Sequence, residues 1–475
     1  MDFSSPIQII LYSLALLFLY ALWRKITKKT TKTKKFKVPE PSGSWPLIGH
    51  LHLLTGQKPA CKILASIADE SGPFYSLRLG FNRILVVSSW EFAKECFTKN
   101  DRVLATRASI AAGKYMGYNN AVFSLAPYGQ YWRDIRKLAT LQLLSNNRLE
   151  ALKHVRFSEI DLFLKEIHIY IQYFNYVNDE KDEKGGKRIG KLMKEFMYVS
   201  GLFVPSDVFP FLWWMNFLGP AKTMKRLSKE LDSLLQTWID EHKLKRINQI
   251  RDDGDCKSIE KEDFIDVMLS VLEDDFFGHL GKTSLKEQSL HALELAQQEL
   301  DLKVGRERCV QDSDIEKLVY LQAVIKETLR LYPPGPLAVP HEAVEDCYIS
   351  RYYIPKGTRI FANLWKLHRD PNVWSNPDEF LPERFLANEG KNVDFSGQNF
   401  EYIPFGSGRR SCPGINFAIQ AIQMTVARLL QAFSFTTPFG QAVDMTHEGI
   451  GITLPKATPL EIQITPRLSS ELYEY

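Results

Sequence analysis

The chain has 475 residues, 45% of them hydrophobic, 24% charged and 12% aromatic, with a formal net charge of +4. This length is enough for a large core of several layers, and the ordinary composition excludes a generally disordered or low-complexity protein. The positive charge is local, because residues 24–37 hold eight basic residues and no acidic one. The remaining chain is therefore slightly acidic.

The first predicted element is an apolar segment without charge, from Ile7 to Trp23. As a helix it would span about 26 Å, near the lower limit for crossing a bilayer. The basic residues 24–37 follow it directly, which predicts a cytoplasmic C-terminal side and argues against nucleic-acid binding. A cleaved signal peptide would instead carry its positive charge before the apolar segment. Residues 1–23 are therefore predicted to be a single-pass signal anchor.

Residues 24–46 form a basic and proline-rich linker, and residues 47–475 form the globular body. The prolines within residues 38–46 favour a stiff, extended segment, although an ordinary loop fits the composition as well. None of the six cysteines forms a C-x-x-C pair, so neither zinc binding nor c-type haem attachment is indicated. In a cytosolic body all six are expected to be reduced.

The body mixes a small β region with much helix. Alternating residues at 74–79 and a β-branched run at 84–87 predict two strands, and Ser88 with Glu91 predicts a capping box that opens a helix. Helical periodicity predicts helices at residues 130–143, 147–173, 222–250, 261–273, 285–302, 312–332 and 415–433. Short strands are predicted at 449–454 and 460–464, and surface loops at 178–187 and 251–261.

Trp132 and Arg136 lie four residues apart on a predicted helix, so they share one face. The planar guanidinium of Arg136 suits the binding of a carboxylate through two hydrogen bonds. An exposed basic helix with a half-buried tryptophan is the alternative interpretation.

Further along the chain, Glu327 and Arg330 form an E-x-x-R pair on one helix face, and Arg384 lies in the sequence P-E-R-F. Alone, such a pair is more often a solvated surface pair. His341 follows a proline-rich segment, and a surface or internally satisfied histidine explains it as well as a binding residue does. The apolar residues before it could line a cavity or belong to the core: Leu337, Ala338 and Val339.

The most informative segment is the glycine-rich loop at 405–414, which presents Cys412 directly before an apolar helix. Glycines permit backbone conformations that other residues avoid, and a helix N-terminus favours a thiolate over a thiol. This arrangement predicts a thiolate ligand for a haem iron, with Arg410 within reach of a haem carboxylate. A buried cysteine in a helix-capping loop is the alternative. The pattern F-x-x-G-x-R-x-C-x-G consists of Phe405, Gly408, Arg410, Cys412 and Gly414.

These motifs resemble those of the cytochromes P450, in which E-x-x-R, P-E-R-F and the cysteine loop follow one another in this order. The segments 299–305 and 365–371 are most similar to the plant A-type family that contains nicotine N-demethylase and related alkaloid and furanocoumarin hydroxylases. The resemblance covers nearly the whole chain. It implies a mainly α protein with a small β region, the P450 fold, behind an N-terminal transmembrane helix.

The resemblance also implies a haem b cofactor whose axial ligand is the thiolate of Cys412. The haem carboxylates would be bound by Trp132, Arg136 and Arg410, and His341 would lie near one of them. A buried charge network beneath the haem would be formed by Glu327, Arg330 and Arg384. The candidate residues facing the substrate would be Leu337, Ala338 and Val339.

The activity implied is a monooxygenase that inserts one oxygen atom from O2 into a small apolar plant secondary metabolite, by hydroxylation or demethylation. Electrons would come from NADPH through NADPH–cytochrome P450 reductase, docked near Arg133, Lys137 and Arg409. The chain would be a single-pass protein of the endoplasmic reticulum membrane with a cytosolic body and no nucleic-acid partner.

This chain lacks one element of the family that it resembles. Residues 263–277 are similar to the segment before the central oxygen-activating helix and residues 293–305 to the helix after it, which leaves only 278–292. A helix of ~30 residues, about 45 Å long, does not fit there. A second shortening is predicted within 174–197. We therefore predict an internally truncated fold without identifiable catalytic residues on the distal side. The alternative function is a catalytically impaired P450 remnant, or an incomplete gene model, that binds haem without turnover.

Overall fold

A computed structural model describes residues 12–14, 16–17, 20, 36–56, 58–173, 184–202, 204–209, 211–212, 219–252, 287–386, 393–437, 453–454 and 462–474. The helices are α1 (Ala60–Ser71), α2 (Trp90–Phe97), α3 (Ala111–Tyr115), α4 (Gln130–Leu138), α5 (Asn146–Ala151), α6 (Lys153–Tyr173), α7 (Lys184–Ser200), α8 (Pro205–Val208), α9 (Pro220–Asp252), α10 (Glu287–Lys303), α11 (Asp312–Ile315), α12 (Val319–Leu331), α13 (Leu364–Leu367) and α14 (Ile415–Ala432). The strands are β1 (Phe74–Leu79), β2 (Asn82–Val87), β3 (His341–Glu342), β4 (Cys347–Ile349), β5 (Tyr352–Ile354), β6 (Arg359–Ala362), β7 (Phe433–Thr436) and β8 (Gln463–Pro466).

The strands form small sheets. The largest has the order β1–β2–β6–β3, with β2 and β6 parallel and the other neighbours antiparallel. Two-stranded sheets pair β4 with β5 and β7 with β8. The predicted strands at 74–79 and 84–87 are confirmed, the second beginning at Asn82. Because β3 pairs with β6, His341 is held at the edge of the largest sheet.

The largest hydrophobic cluster surrounds α14, the helix that follows the cysteine loop. Met424, Ala427 and Leu430 of α14 pack with buried residues of α10 and α12, such as Leu300 and Leu321. Each of these side chains is less than 5% exposed. Because α14 is held on several sides, its first turn, and the loop before it, have a defined position relative to the core.

Several predicted helices have different bounds in the structure. The predicted helix 312–332 is two helices, α11 and α12, because the Glu299 carboxylate accepts hydrogen bonds of 3.0 Å from the N–H groups of Tyr320 and Leu321 and so starts a new helix. The prediction at 147–173 is divided at Leu152 into α5 and α6. The prediction at 130–143 is α4 followed by a π-helical turn, Ala139–Leu143.

Other predicted segments differ from the structure in where they begin or end. The helix predicted to reach 433 ends at Ala432, since Phe433 begins β7, and the strand predicted at 460–464 is β8, Gln463–Pro466. The loop predicted at 178–187 is wrong from Lys184 onward, where α7 begins. Ser88 forms no capping box, because its backbone N–H donates to the carbonyl of Pro73 and α2 begins after Ser89 without a side-chain cap.

Within the residues that the structure describes, no helix is long and apolar enough to cross a membrane. The predicted anchor lies outside the described residues except for 12–14, 16–17 and 20, and so does the linker before Phe36. The predicted helix 261–273, the short segment 278–286, Cys256 and most of 449–461 also lie outside them. From residue 36 the chain lies against the body, since Ser76 donates a 2.8 Å hydrogen bond to the carbonyl of Pro39.

Candidate functional site

The cysteine loop folds back on itself immediately before α14. The backbone N–H of Cys412 donates a 3.0 Å hydrogen bond to the carbonyl of Phe405. This turn requires left-handed backbone at Gly406 and Gly408, with φ of 72° and 68°. A Cβ on Gly414 would lie 3.9 Å from the Cys412 sulfur, in ordinary van der Waals contact. The predicted loop residues therefore surround one partly buried thiol.

The Cys412 thiol is not activated by the loop itself. Burial raises its pKa, and this effect outweighs the backbone N–H of Gly414 and the guanidinium of Arg136, which act in the opposite direction. The helix N-terminus acts in the predicted direction, since the Gly414 N–H favours the thiolate, but desolvation penalises the charged form more strongly. A bound metal ion would reverse the balance, since a coordinating thiol is deprotonated.

The backbone of Gly408 lies too close to Asp101 and Phe97 for a side chain to fit, whereas Gly406 has open space around it. A Cβ on Gly408 would lie 2.5 Å from Oδ1 of Asp101 and 2.8 Å from the carbonyl oxygen of Phe97, whereas a Cβ on Gly406 would meet no atom within 4 Å. At either position, an alanine would have to adopt left-handed backbone, which costs roughly 1–2 kcal/mol of stability.

We expect Gly408→Ala to lower the free energy of unfolding by about 2–4 kcal/mol, because steric overlap is added to backbone strain. Gly406→Ala, the matched control, should cost only about 1–2 kcal/mol. Urea unfolding of both variants checks this, and equal losses would contradict the role of the close approach.

Two residues predicted from their helical spacing meet the cysteine loop. Nη1 of Arg136 donates a 2.8 Å hydrogen bond to the carbonyl of Ser411, next to Cys412. Trp132 is 3% exposed, and the guanidinium of Arg410 lies 4.3 Å from the centroid of its ring. The structure therefore brings Trp132, Arg136 and Arg410 together beside the thiol.

Sequence reasoning missed a fourth member of this group, Arg107. Its guanidinium is 8% exposed and donates to the carbonyls of Ser124 (3.2 Å) and Pro340 (3.1 Å). Its pKa is lowered to about 9 by burial and, secondarily, by Arg410. No local motif marks Arg107, because its partners are distant in the chain.

Three guanidiniums form what we call the arginine cluster (Arg107, Arg136 and Arg410), and the charge of Asp101 acts on one of them, Arg136. Burial and, secondarily, the charge of Arg136 lower the pKa of Arg410 to about 10. Within the described ranges, none of the three forms an ion pair with a carboxylate; each donates to backbone carbonyls or to Ser411. Buried charges are normally paired, so this cluster fits an anionic ligand.

An orphaned donor points to the same ligand. The indole Nε1 of Trp132 is buried and has no hydrogen-bond partner among the described residues. Such a donor costs roughly 1–3 kcal/mol when it is left unpaired. A carboxylate placed between Trp132 and the arginine cluster would satisfy the donor and the cations together. The side chains therefore fit a metal cofactor that carries carboxylates and takes a thiolate ligand, as haem does.

His341 is buried beside the arginine cluster, which excludes a surface histidine. It is 6% exposed, and its Nδ1 lies 2.7 Å from the carbonyl of Leu104, to which it donates. Burial, together with Arg107 and Arg410, holds the pKa of His341 well below its usual range. The ring is therefore neutral, with its Nδ1 satisfied, in a strongly cationic environment.

The E-x-x-R motif forms a buried ion network with the P-E-R-F segment. Nε and Nη2 of Arg330 donate to the two carboxylate oxygens of Glu327 at 2.7 and 2.8 Å, and Nε of Arg384 donates to Oε1 at 3.1 Å. Glu327 and Arg330 are fully buried and Arg384 is 6% exposed. Arg330 also donates to the carbonyls of His368 and Pro377 at 2.8 and 2.7 Å. The network thus holds the segment before the cysteine loop against α12.

The candidate substrate-facing residues are all only partly buried. Leu337 packs against the cluster of α1, β1 and β2, while Ala338 packs on the neighbouring cluster behind the sheet. The carbonyl of Val339 accepts a hydrogen bond from Arg107. Val339 is therefore adjacent to the arginine cluster, and Leu337 and Ala338 contribute to the core.

Comparison with known proteins gives consistent matches. A family model described as "Cytochrome P450" matches residues 39–172 and 288–462. Cytochrome P450 CYP82J17 of Trigonella foenum-graecum is 45% identical, with 99% of each chain covered. Xanthotoxin 5-hydroxylase CYP82C2 of Arabidopsis thaliana is 43% identical, and nicotine N-demethylase CYP82E3 of Nicotiana tomentosiformis is 42% identical, each covering 98% of this chain and 99% of its own.

A solved structure of zebra fish cytochrome P450 with progesterone superimposes with a TM-score of 0.63 at 22% identity. It covers 86% of this chain and 100% of its own, and it supports the fold alone. The alignments with the plant relatives run over 525 to 528 positions, more than the 475 residues of this chain. The relatives therefore have segments for which this chain has no counterpart. The interval that the family model leaves unmatched, 173–287, contains most of the two regions in which the sequence predicts shortening.

Proposed function

Since the chain belongs to the cytochrome P450 family, whose members bind haem b through a cysteine thiolate, we propose that it is a haem-thiolate monooxygenase with Cys412 as the axial ligand. When bound, the haem supplies the iron centre that activates O2, and the thiolate donates electron density that favours O–O cleavage. The observation that carries the proposal is the arginine cluster next to the Cys412 loop, which forms no ion pair among the described residues.

The residues that hold the haem have distinct roles. The indole N–H of Trp132 and the guanidiniums of Arg136 and Arg410 bind the carboxylates, as the motifs predict. We add Arg107 to this group, because it is buried, charged and without a carboxylate partner among the described residues. His341 lies near one of the haem carboxylates, and because it is neutral it adds no further positive charge to the cluster. Phe405, Gly408 and Gly414 shape the loop.

The substrate is proposed to be a small apolar plant secondary metabolite, oxidised by hydroxylation or demethylation. Support comes from relatives that are named for the hydroxylation of xanthotoxin and the N-demethylation of nicotine. Leu337, Ala338 and Val339 are its candidate contacts. Electrons are proposed to come from NADPH through NADPH–cytochrome P450 reductase. The exposed side chains of Arg133 and Lys137 offer positive charge for its docking, and the third candidate, Arg409, is exposed but forms a 3.2 Å ion pair with Asp101.

The chain is proposed to be anchored by residues 1–23 in the endoplasmic reticulum membrane, followed by the linker 24–46 and the haem domain 47–475. The described apolar residues of the anchor support membrane contact, since their exposed fractions lie between 49% and 69%: Tyr12, Leu14, Leu16, Leu17 and Tyr20. Side chains of this kind are stabilised by lipid rather than by water.

A second candidate function is favoured by the internal shortening: a remnant that binds haem without efficient turnover. The family match stops at residue 172, the penultimate residue of α6. The same helix exposes large apolar side chains, with Leu162 at 50%, Phe163 at 43% and Tyr170 at 59%. A chain without the central helix would admit water to the distal side, so electrons from the reductase would be lost as hydrogen peroxide.

One experiment separates the two functions. The full chain is expressed in yeast membranes with a plant reductase, and NADPH consumption, hydrogen peroxide and oxidised product are measured with xanthotoxin and nicotine as probes. The monooxygenase yields product for a substantial part of the NADPH used. The remnant shows the haem-thiolate spectrum, but peroxide accounts for nearly all of the NADPH.

The control is a pair of insertions between Gly278 and Ala292. The central helix of a plant relative should restore product formation to a remnant, whereas a scrambled segment of equal length should not. A chain that binds no haem in any of these forms would contradict both functions.

A further inference from the structure

Asp207 is a partly buried carboxylate that the proposed chemistry does not use. Its Oδ1 accepts a 2.7 Å hydrogen bond from the backbone N–H of Ala111, and its Oδ2 accepts a 3.4 Å bond from the N–H of Val204. Val204 immediately precedes α8, so the second bond is local. Ala111 is the first residue of α3 and lies 96 positions away in the chain. Asp207 therefore joins two elements that the sequence separates widely.

The segment that carries Asp207 is held firmly from the other side. Nδ2 of Asn82 donates a 2.5 Å hydrogen bond to the Asp207 carbonyl, and the N–H of Phe81 donates to the Val208 carbonyl at 3.3 Å. A Cβ on Gly80 would lie 2.5 Å from Cγ1 of Val208. There is therefore no space between Val208 and the turn that contains Gly80. Residues 204–208 are thus wedged between α3 and the turn that joins β1 to β2.

The helix that Asp207 holds lies in the middle of a loop whose ends reach the arginine cluster. We call residues 105–126 the cluster loop. Arg410 donates 2.6 Å hydrogen bonds to the carbonyls of both its end residues, Ala105 and Ala126. Arg107 lies on this loop and donates to its Ser124 carbonyl. The two ends of the cluster loop are therefore fixed by guanidiniums that the proposed function assigns to haem.

The middle of the cluster loop packs on the helices that follow α6. Ala111, Ala112 and Met116 belong to one buried cluster with Leu192 of α7 and Met224 of α9. These apolar contacts place α3 against α7 and α9. The hydrogen bonds of Asp207 then determine how α3 sits relative to α8 and the β1–β2 turn.

We propose that Asp207 is a positioning residue that couples the arginine cluster to residues 204–208 through the cluster loop. Arg107 and Arg410, which bond to this loop, would move its ends if they turned toward the carboxylates of a bound haem. Close-packed elements transmit such shifts rather than absorb them, so the Asp207–Ala111 bond carries the shift to α8. The coupling rests on the proposed haem binding, whereas the bond itself exists without a ligand. Asp207 therefore determines whether the position of α8 changes when haem binds.

The test is hydrogen–deuterium exchange of the full chain in detergent, with and without haem. Asp207→Ala should accelerate exchange in residues 109–116 of the haem-free protein by roughly tenfold or more, because bonds to a charged acceptor are lost. In the unaltered chain, haem should slow exchange both at 105–107 and at 204–209. In Asp207→Ala, haem should slow exchange only at 105–107. Asp207→Asn keeps one acceptor oxygen and should give an intermediate result even where the alanine variant folds poorly.

Asp314→Ala is the control for the loss of a carboxylate from a short helix, although Asp314 also forms an ion pair with Arg308. Asp314 occupies the third position of a four-residue helix, α11, and accepts a 3.0 Å hydrogen bond from the N–H of Gln311, as Asp207 does locally from Val204. In the Asp314→Ala variant, hydrogen–deuterium exchange should change only around residues 308–315. Unchanged exchange at 109–116 in both Asp207 variants, or haem protection of 204–209 that survives in them, would overturn the proposal. If the unaltered chain takes up no haem, the proposed function fails, while the haem-free comparison still tests the Asp207 bond.

Discussion

Replacing Cys412 by serine is expected to abolish the thiolate-type absorption of the reduced, CO-bound protein while the polypeptide stays folded. The backbone bond from Cys412 to Phe405 does not involve the side chain, so the loop keeps its shape. A serine hydroxyl does not ionise near neutral pH and offers no thiolate to the iron. Haem affinity should fall by at least about 100-fold, since even the partners of metal ligands contribute 10–100-fold. Product formation should fall to the background.

Cys309→Ser is the matched control for this substitution. Cys309 is partly buried like Cys412, and its sulfur contacts only the carbonyl of Leu472, at 3.8 Å, among its described hydrogen-bond partners. Its variant should keep both the haem content and the position of the Soret band. A thiolate-type spectrum in Cys412→Ser, or its loss in Cys309→Ser, would show that another sulfur binds the iron.

Replacing Glu327 by glutamine is expected to destabilise the protein by about 3–5 kcal/mol, because it leaves two buried guanidiniums without their carboxylate. Glu327 accepts from Arg330, from Arg384 and from the backbone N–H of Leu381 at 2.8 Å. A loss of this size is a large part of the 5–15 kcal/mol by which domains are typically stable. Urea unfolding and the yield of folded protein measure it, and haem loading should fall in parallel.

Glu230→Gln makes the same chemical change in an exposed pair. Glu230 and Arg226 lie four residues apart on α9, at 2.7 Å, with side chains that are 37% and 48% exposed. Such a pair contributes only about 0.3–0.5 kcal/mol, since water screens both charges. Similar losses in the two variants would mean that burial of the Glu327 network is energetically unimportant.

Glu327 and Glu230 show what residue spacing can predict about an ion pair and what it cannot. Glu327 with Arg330 and Glu230 with Arg226 are both helical ion pairs, and residue spacing alone predicts the contact in each case. It does not distinguish the buried pair from the exposed one. That distinction follows from Arg384, Leu381 and the carbonyls of 368–379, which meet α12 only when the chain is folded.

The cysteine loop shows the same division. Its glycines and its position before an apolar helix predict a thiol held at a tight turn, and the structure has that turn. The net pKa shift of the thiol does not follow from the loop, because the pKa of Cys412 depends on how much protein surrounds the sulfur. No local pattern records the amount of that burial.

The amino-acid sequence by itself determined the elements whose cause is local: the strands β1 and β2, most helices, the shared faces of Trp132 with Arg136 and of Glu327 with Arg330, and the glycine turn before Cys412. These follow from backbone geometry over a few residues. Only the tertiary structure decided the membership of Arg107 and buried His341 in one cationic group, the division between α11 and α12, and the bond between Asp207 and Ala111. Each of these depends on residues far apart in the chain, and on the loss of water around them, which arises only when the whole fold closes.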